Sequence, residues 1–297
     1  ENKESDKEAD AVTYTCPSCG AQIVTDATTA ATFCYYCHNP VVLGGRLEGK
    51  FLPDQVIPFS VSREDAEKGF KDYVCRKKFV PRAFYNKKQV ESITGVYFPY
   101  WHYNTSLEGK MQGEARNIRV WRTGNTEYTE TKYYQVSREG DVKLENLTEN
   151  ALGKANQELI CGVMPYDFKD VKKFQLGFLS GFLAEKRDIE KKQIEKKVQQ
   201  EARESAEKLM REQINGYSSV SVKNADFRAL KEKWSYTLLP VWTITYKAKN
   251  GKIYYFSMNG QTGKVYGELP TDYKKISLVS GIVSLVTLII LLLGGLA

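Results

Sequence analysis

Four of the six cysteines are spaced to share one metal ion: Cys16-Pro-Ser-Cys19 and Cys34-Tyr-Tyr-Cys37, separated by the fourteen residues from Gly20 to Phe33. A CxxC turn aims two sulfurs at one point, and two such turns complete a tetrahedral thiolate shell, so Zn²⁺ is the expected cofactor. Four sulfurs leave no open position for an activated water, which makes the expected role structural. A four-cysteine iron site, and thiols that are simply buried or redox-active, are the alternatives. His38 follows Cys37 and reads as a neighbour of the shell rather than a ligand.

A second chemistry is carried by charge. From Tyr73 to Val90 the chain holds Arg76, Lys77, Lys78, Arg82, Lys87 and Lys88 without one acid, interleaved with Phe79, Phe84 and Tyr85. Such a segment suits an anionic membrane surface or a nucleic acid; a solvated strand edge guarded by lysines is the plainer reading. The cysteine segment is opposite in character. Between Cys16 and Gly45 there is no lysine or arginine and one acid, Asp26. A Zn²⁺ with four thiolates adds about −2 there and lowers the formal net charge of +7 to about +5. Phosphate binding depends on neutralising cations, so nucleic acid is not expected at this segment. Tyr35 and Tyr36 suit a protein partner better.

Catalytic signatures are sparse. No phosphate loop, GxSxG elbow or HExxH helix is present. Of two histidines, His38 adjoins the cysteines and His102 follows Trp101 in an expected strand, where a structural role outweighs a catalytic one. Cys75 precedes three cations and reads as a reactive thiol or a helix-end core residue; Cys161, among apolar and small neighbours, reads as core. No catalytic residue is assigned, and an enzyme of unrecognised class stays open because carboxylate pairs leave no sequence signature.

The elements that position these groups begin with the two ends. With 297 residues, 42% apolar and 27% charged, the chain can build real cores. Its mean hydropathy of −0.45 hides the uncharged run from Ile276 to Ala297. That run is long enough for a helix crossing a hydrocarbon core of roughly 30 Å. Lys274 and Lys275 precede it and nothing basic follows, which predicts a single-pass anchor in the cell membrane with the preceding residues in the cytoplasm. A reducing cytosol suits free thiolates. The opening ENKESDKEAD has five acids and two bases and reads as a solvated tail, and Glu1 in place of methionine predicts a trimmed start.

The body contains a suggestive repetition. Ala66-Glu67-Lys68 precedes Pro99-Tyr-Trp101, and Ala206-Glu207-Lys208 precedes Pro240-Val-Trp242. Each copy reads as helix followed by strand. Ser62 with Asp65 marks a helix start, and Ala66, Phe70, Tyr73 and Val74 supply its apolar stripe. Val198, Ala202, Ala206 and Met210 recur every four residues. Alternating stretches at 96–107, 118–121, 128–136, 239–246 and 252–258 predict strands, with Asn250-Gly251 as a hairpin turn and a second turn from Asn259 to Lys264. Leu183 to Ile214, with eight acids, nine bases and no proline or glycine, predicts one long, largely exposed helix.

The expected fold class is therefore α+β: an N-terminal zinc-binding module, an antiparallel sheet body with an internal helix-strand repeat, a long charged helix and one C-terminal transmembrane helix. The expected ranges are 1–12 disordered acidic tail, 13–45 metal module, 46–182 first repeat, 183–216 charged helix, 217–273 second repeat and 274–297 membrane helix.

The knuckles Cys16 to Cys37, Phe98-Pro-Tyr-Trp101, Pro165-Tyr-Asp-Phe168, Phe178 to Glu185, Asn259-Gly-Gln-Thr-Gly263 and the terminal apolar run together resemble a bacterial family of transcription-factor-IIB-type zinc-ribbon membrane proteins, common in Firmicutes. Some members carry a label taken from the primosomal replication-restart helicase, whose Walker lysine loop this chain lacks. The resemblance implies a zinc ribbon and a membrane anchor and names no activity. The expected role is a membrane-anchored, cytoplasm-facing protein-interaction or scaffold module, with the lipid bilayer and a protein as partners. Nucleic-acid binding through 73–90 is the alternative.

Overall fold

The computed structural model describes residues 11–18, 22–26, 28–33, 39–43, 49–81, 84, 93–153, 161–247 and 253–294. In chain order the strands and α-helices are β1 (Ala11–Thr15), β2 (Gln22–Asp26), β3 (Thr29–Phe33), β4 (Pro40–Val42), β5 (Gln55–Val56), α1 (Arg63–Cys75), β6 (Thr94–Thr123), β7 (Thr126–Asn150), β8 (Lys172–Lys173), β9 (Leu183–Glu185), α2 (Lys191–Glu212), β10 (Ser219–Lys247), β11 (Ile253–Asn259), β12 (Val265–Gly267) and α3 (Tyr273–Gly294). Strands β1 and β2 form a two-stranded sheet; the others join one ten-stranded sheet whose main path runs β12-β11-β10-β6-β9-β3-β4.

The expected antiparallel α+β body with an N-terminal zinc ribbon is corrected on three counts. The sheet dominates the molecule and is mixed, because Val96 and Tyr97 of β6 pair in parallel with Leu183 and Ala184 of β9. The chain between those strands is long enough for the crossover that parallel pairing needs. Second, β3 and β4 are not confined to a separate module: β3 pairs with β9 through Thr29↔Glu185 and Ala31↔Ala184. Third, no group of three or more His, Cys, Asp or Glu able to hold a metal occurs among the described residues. Of the four predicted ligands Cys16 is described, whereas Cys19, Cys34 and Cys37 lie outside the described residues. So do residues 1–10 of the expected tail and the Asn250-Gly251 turn.

Contacts divide the chain into two units, and β6 and β10 contribute residues to both. The first comprises Glu1–Pro99, Lys154–Lys186 and Leu238–Ala297. Its core gathers Ala66, Phe70 and Val74 of α1 with Trp242, Ile244, Phe256 and Met258 of β10 and β11. Phe59 and Phe182 stack at 4.1 Å beside Tyr97 and Trp242. The turn after β11 folds as predicted: Asn259 Oδ1 accepts from the Gln261 and Thr262 amides, and Gly263 takes φ +75°.

The second unit comprises Tyr100–Gly153 and Arg187–Thr237. Here β6 and β7 form an antiparallel hairpin paired from Tyr100↔Asn150 to Thr123↔Thr126. The charged helix begins later than expected because Leu183–Glu185 is strand β9; Glu190 and Gln193 then cap α2 reciprocally. Ile194, Val198, Ala202, Ala206 and Met210 are all buried, and α2 packs on β7 rather than standing in solvent. Arg187, 5% exposed, lies over Trp101 and Tyr236 and pairs with Glu190 at 2.5 Å.

Two outcomes follow from this packing. A Cβ on Gly113 would fall on the Ser221 carbonyl oxygen, whereas one on Gly140 meets open space. Gly113→Ala should lower stability by about 1–3 kcal/mol and Gly140→Ala leave it nearly unchanged, read as melting shifts of the detergent-solubilised protein. His102 is buried and contacts Asn146 Oδ1 at 3.1 Å. Burial, with some repulsion from Lys233, holds its pKa below the ordinary value against the opposing Asn146 bond. As pH falls through about 6.5 the unfolded chain therefore takes up a proton that the folded chain refuses, and stability drops. In His102→Gln this part of the pH-stability curve should flatten by up to about 1.4 kcal/mol per pH unit.

Candidate functional site: a basic cavity at the start of the apolar helix

Helix α1 starts where the sequence predicts. Ser62 caps it, its Oγ accepting from the Asp65 amide at 3.1 Å and donating to Asp65 Oδ2 at 2.8 Å. The stripe Ala66, Phe70 and Val74 seats one face in the core. Val74 thereby fixes the opposite, solvent side at the helix end, where Cys75, Arg76, Lys77 and Lys78 are exposed. The core reading of Cys75 is thus replaced by exposure, and the same holds for Cys161.

The return to this place is made by the chain after β12. Tyr73 donates its hydroxyl to the Gly267 carbonyl at 2.7 Å. Burial, then the nearby Tyr266, raises the Tyr73 pKa, which keeps the phenol protonated and donating. Gly267 must be glycine for β12 to lie this close: a Cβ would stand 2.8 Å from the Tyr255 carbonyl oxygen. The Asp272 amide then donates to Phe79 O at 2.7 Å, and Lys275 Nζ to Val80 O at 2.8 Å. Asp272 also accepts from the Lys275 amide at 3.3 Å through its side chain, acting as a helix cap.

These ties border an open cleft, here called the cavity, of about 580 Å³. Arg76, Lys77 and Lys78 supply its charge, and Val80, Leu269, Pro270 and Ile276 its apolar wall. Of the six predicted contact residues it brings together these three; Arg82, Lys87 and Lys88 lie outside the described residues. Sequence reasoning missed Tyr73, Gly267 and Lys275 as the groups that build the place. The available signal was Pro270-Thr271-Asp272, a helix-start pattern directly before the apolar run.

That run forms α3. It is long and apolar enough to cross a membrane: Tyr273–Leu291 has a mean hydropathy of 1.9 with no part buried. At about 1.5 Å per residue its 22 residues extend roughly 33 Å.

The metal candidates present less. Cys16 follows β1 and is buried against Val41, Leu43 and Tyr14. Thr15↔Gln22 and Phe33↔Pro40 are the last pairs of two antiparallel hairpins, so each CxxC segment joins two paired strands.

Comparison with known proteins gives one informative match. The chain is 30% identical over 259 residues to uncharacterized protein YdjG of Bacillus subtilis (strain 168), covering 86% of this chain and 76% of that protein. The chain belongs to the YdjG family. No protein-family model matches it, and no solved structure does. The match across 86% of the chain makes the YdjG family likeness a property of the body and not of one motif.

The cavity rests on α1 and its core. Phe70 meets Phe256 edge-on at 4.9 Å and Phe84 at 5.6 Å. Phe70→Ala should cost about 3–5 kcal/mol and Tyr73→Phe about 0.5–1.5 kcal/mol, measured by denaturant titration in detergent.

Proposed function

We propose that this YdjG-family protein is a membrane-anchored, cytoplasm-facing interaction or scaffold module, held at the cell membrane by α3. The observation that carries the reading is the exposure of α3: Leu278, Ile282, Val283, Leu285, Ile290 and Leu291 are each more than half exposed. So much apolar surface on one helix requires lipid or another apolar cover. Lys274 and Lys275, in the first turn of the helix and ahead of its apolar run, support the cytoplasmic side.

The interaction role draws support from the far end of the β6–β7 hairpin. Trp121 and Tyr128, 41% and 47% exposed, stack at 5.6 Å, and Arg119 lies 5.7 Å from the Trp121 ring. Tryptophan, tyrosine and arginine are the residue types that dominate binding energy at protein interfaces. The proposal includes a structural Zn²⁺ held by Cys16, Cys19, Cys34 and Cys37, supported by their spacing and by the paired strands beside each CxxC segment. It also places the chain within the zinc-ribbon membrane family it resembles.

After detergent-free lysis the protein should pellet with membranes, and Ile282→Lys with Leu285→Lys should release it, each lysine costing about 3 kcal/mol at mid-bilayer. Exposed Cys161 should react with an impermeant maleimide only once cells are broken. Purified protein should carry one zinc per chain, lost in Cys16→Ser. Crosslinked protein partners should disappear in Trp121→Ser with Tyr128→Ser. Wild-type protein in the aqueous fraction would overturn the anchor, and an unchanged partner set would overturn the hairpin's role.

A further inference from the structure

Three cations beside the first turn of an apolar helix are left without a use in the fold. Arg76, Lys77 and Lys78 are exposed, and no carboxylate among the described residues pairs with them. Lys275 is different: its ammonium is committed to the Val80 carbonyl and lies 3.8 Å from Asp272 Oδ2. Asp72, Glu268 and Asp272 each adjoin a lining residue in sequence, and none of the three lines the cavity. The cavity therefore offers three cations that no described carboxylate pairs with.

Its other wall is apolar. Val80, Leu269 and Pro270 line it together with Ile276, the first apolar residue of the terminal run, so one cleft presents both cations and hydrocarbon. A volume of about 580 Å³ lies in the range of small-molecule sites. A free inorganic anion would use the cations and leave the wall wet. A nucleic acid would use the cations and meet α3. The ligand whose parts match both surfaces is an amphiphile with an anionic head.

The geometry points to a binding site for one anionic phospholipid, its phosphate held by Arg76, Lys77 and Lys78 and its first acyl carbons against Leu269 and Ile276. This rests on the membrane reading of α3 and deepens it. With α3 across the bilayer, Tyr273, 76% exposed, stands at the headgroup level where tyrosines concentrate, and the cavity opens at the same depth. A polybasic group gains there from the anionic cytoplasmic leaflet. A fixed cavity with an apolar wall adds what a diffuse attraction lacks: selection of a particular lipid molecule.

The test uses full-length protein in detergent micelles, with native mass spectrometry counting retained lipid after addition of dioleoyl phosphatidylglycerol or dioleoyl phosphatidylcholine. Wild type should retain one phosphatidylglycerol in preference to phosphatidylcholine. Arg76→Gln, Lys77→Gln and Lys78→Gln together should lower that retention by about tenfold or more. The same charge change at exposed Lys169, Lys172 and Lys173 should not. Thr271→Trp, at an exposed lining position, crowds the cavity while keeping every cation and should also weaken the preference.

Equal loss in both triple variants, or retention undiminished by Thr271→Trp, would reduce the effect to net charge and overturn the site. Competition by millimolar inorganic phosphate as effective as by the lipid would reassign it to a free anion. Salt-steep binding of an oligonucleotide, lost in the Arg76 triple and kept in Thr271→Trp, would overturn it in favour of nucleic acid. Absence of lipid preference in protein that still requires detergent for extraction would sink this site and leave the anchor standing; protein found in the aqueous fraction sinks the anchor first.

Discussion

Two hydrogen bonds fix where the apolar helix α3 begins: the Asp272 amide to the Phe79 carbonyl, and the Lys275 ammonium to the Val80 carbonyl. Both acceptors belong to the bend after α1, and the donors to the cap and the first turn of α3. A helix start held only by a loop would leave α3 free to swing, and the cations of the bend would bear no fixed relation to it. With these bonds made, the helix that is apolar all round and the bend that is cationic become neighbours in one unit. Their acceptors are backbone carbonyls, so the tie persists whatever side chains the bend carries.

The commitment of Lys275 changes the electrostatic reading of the sequence. Counted along the chain, Lys274 and Lys275 are equivalent flanking cations. In the fold one is exposed and the other satisfies a carbonyl and an acid. The charge available to an anionic surface at this level therefore comes chiefly from the end of α1, nearly two hundred residues earlier. Arg187 makes the complementary case in the second unit. It is a cation removed from the surface altogether, flanked by Trp101 and Tyr236 and paired with Glu190. Arginine suits that place because its planar, weakly hydrated guanidinium stacks on rings at a lower desolvation cost than an ammonium.

How much of this was legible depended on how local the determining interaction was. Ser62 and Asp65 announce the start of α1 because a cap is made within four residues. The four-residue recurrence of Val198, Ala202, Ala206 and Met210 announces a buried face because helix geometry alone fixes which side chains align. Leu183-Ala184-Glu185 misleads for the opposite reason. Its residues have fair helix propensity, and they become strand only because β3 and β6 offer partners on both sides. The parallel pairing that makes the sheet mixed joins Val96 to Leu183, and nothing near either residue encodes it. The cavity is non-local in the same sense: its cations were visible as a cluster, but its wall comes from 267–276, and only the fold brings the two together.

The length of β6 and β7 has a physical reason that also bears on function. A two-stranded ribbon is marginal in water, and the hairpin's outer residues from 118 to 134 are mostly exposed. Nearer its base the ribbon is steadied by α2, whose Met210 packs with Met111 and Ile214 against Val136 and Val142. Beyond that support the outer strands keep large side chains, Trp121, Tyr128 and Tyr133 among them, on surfaces where burial within the unit does not account for them. Selection for stability alone would favour a shorter ribbon or a polar tip. A ribbon that carries aromatic side chains past the reach of its own core is consistent with a surface shaped by contact with another molecule, and it is the part of the second unit where such contact can be made without disturbing the packing of α2.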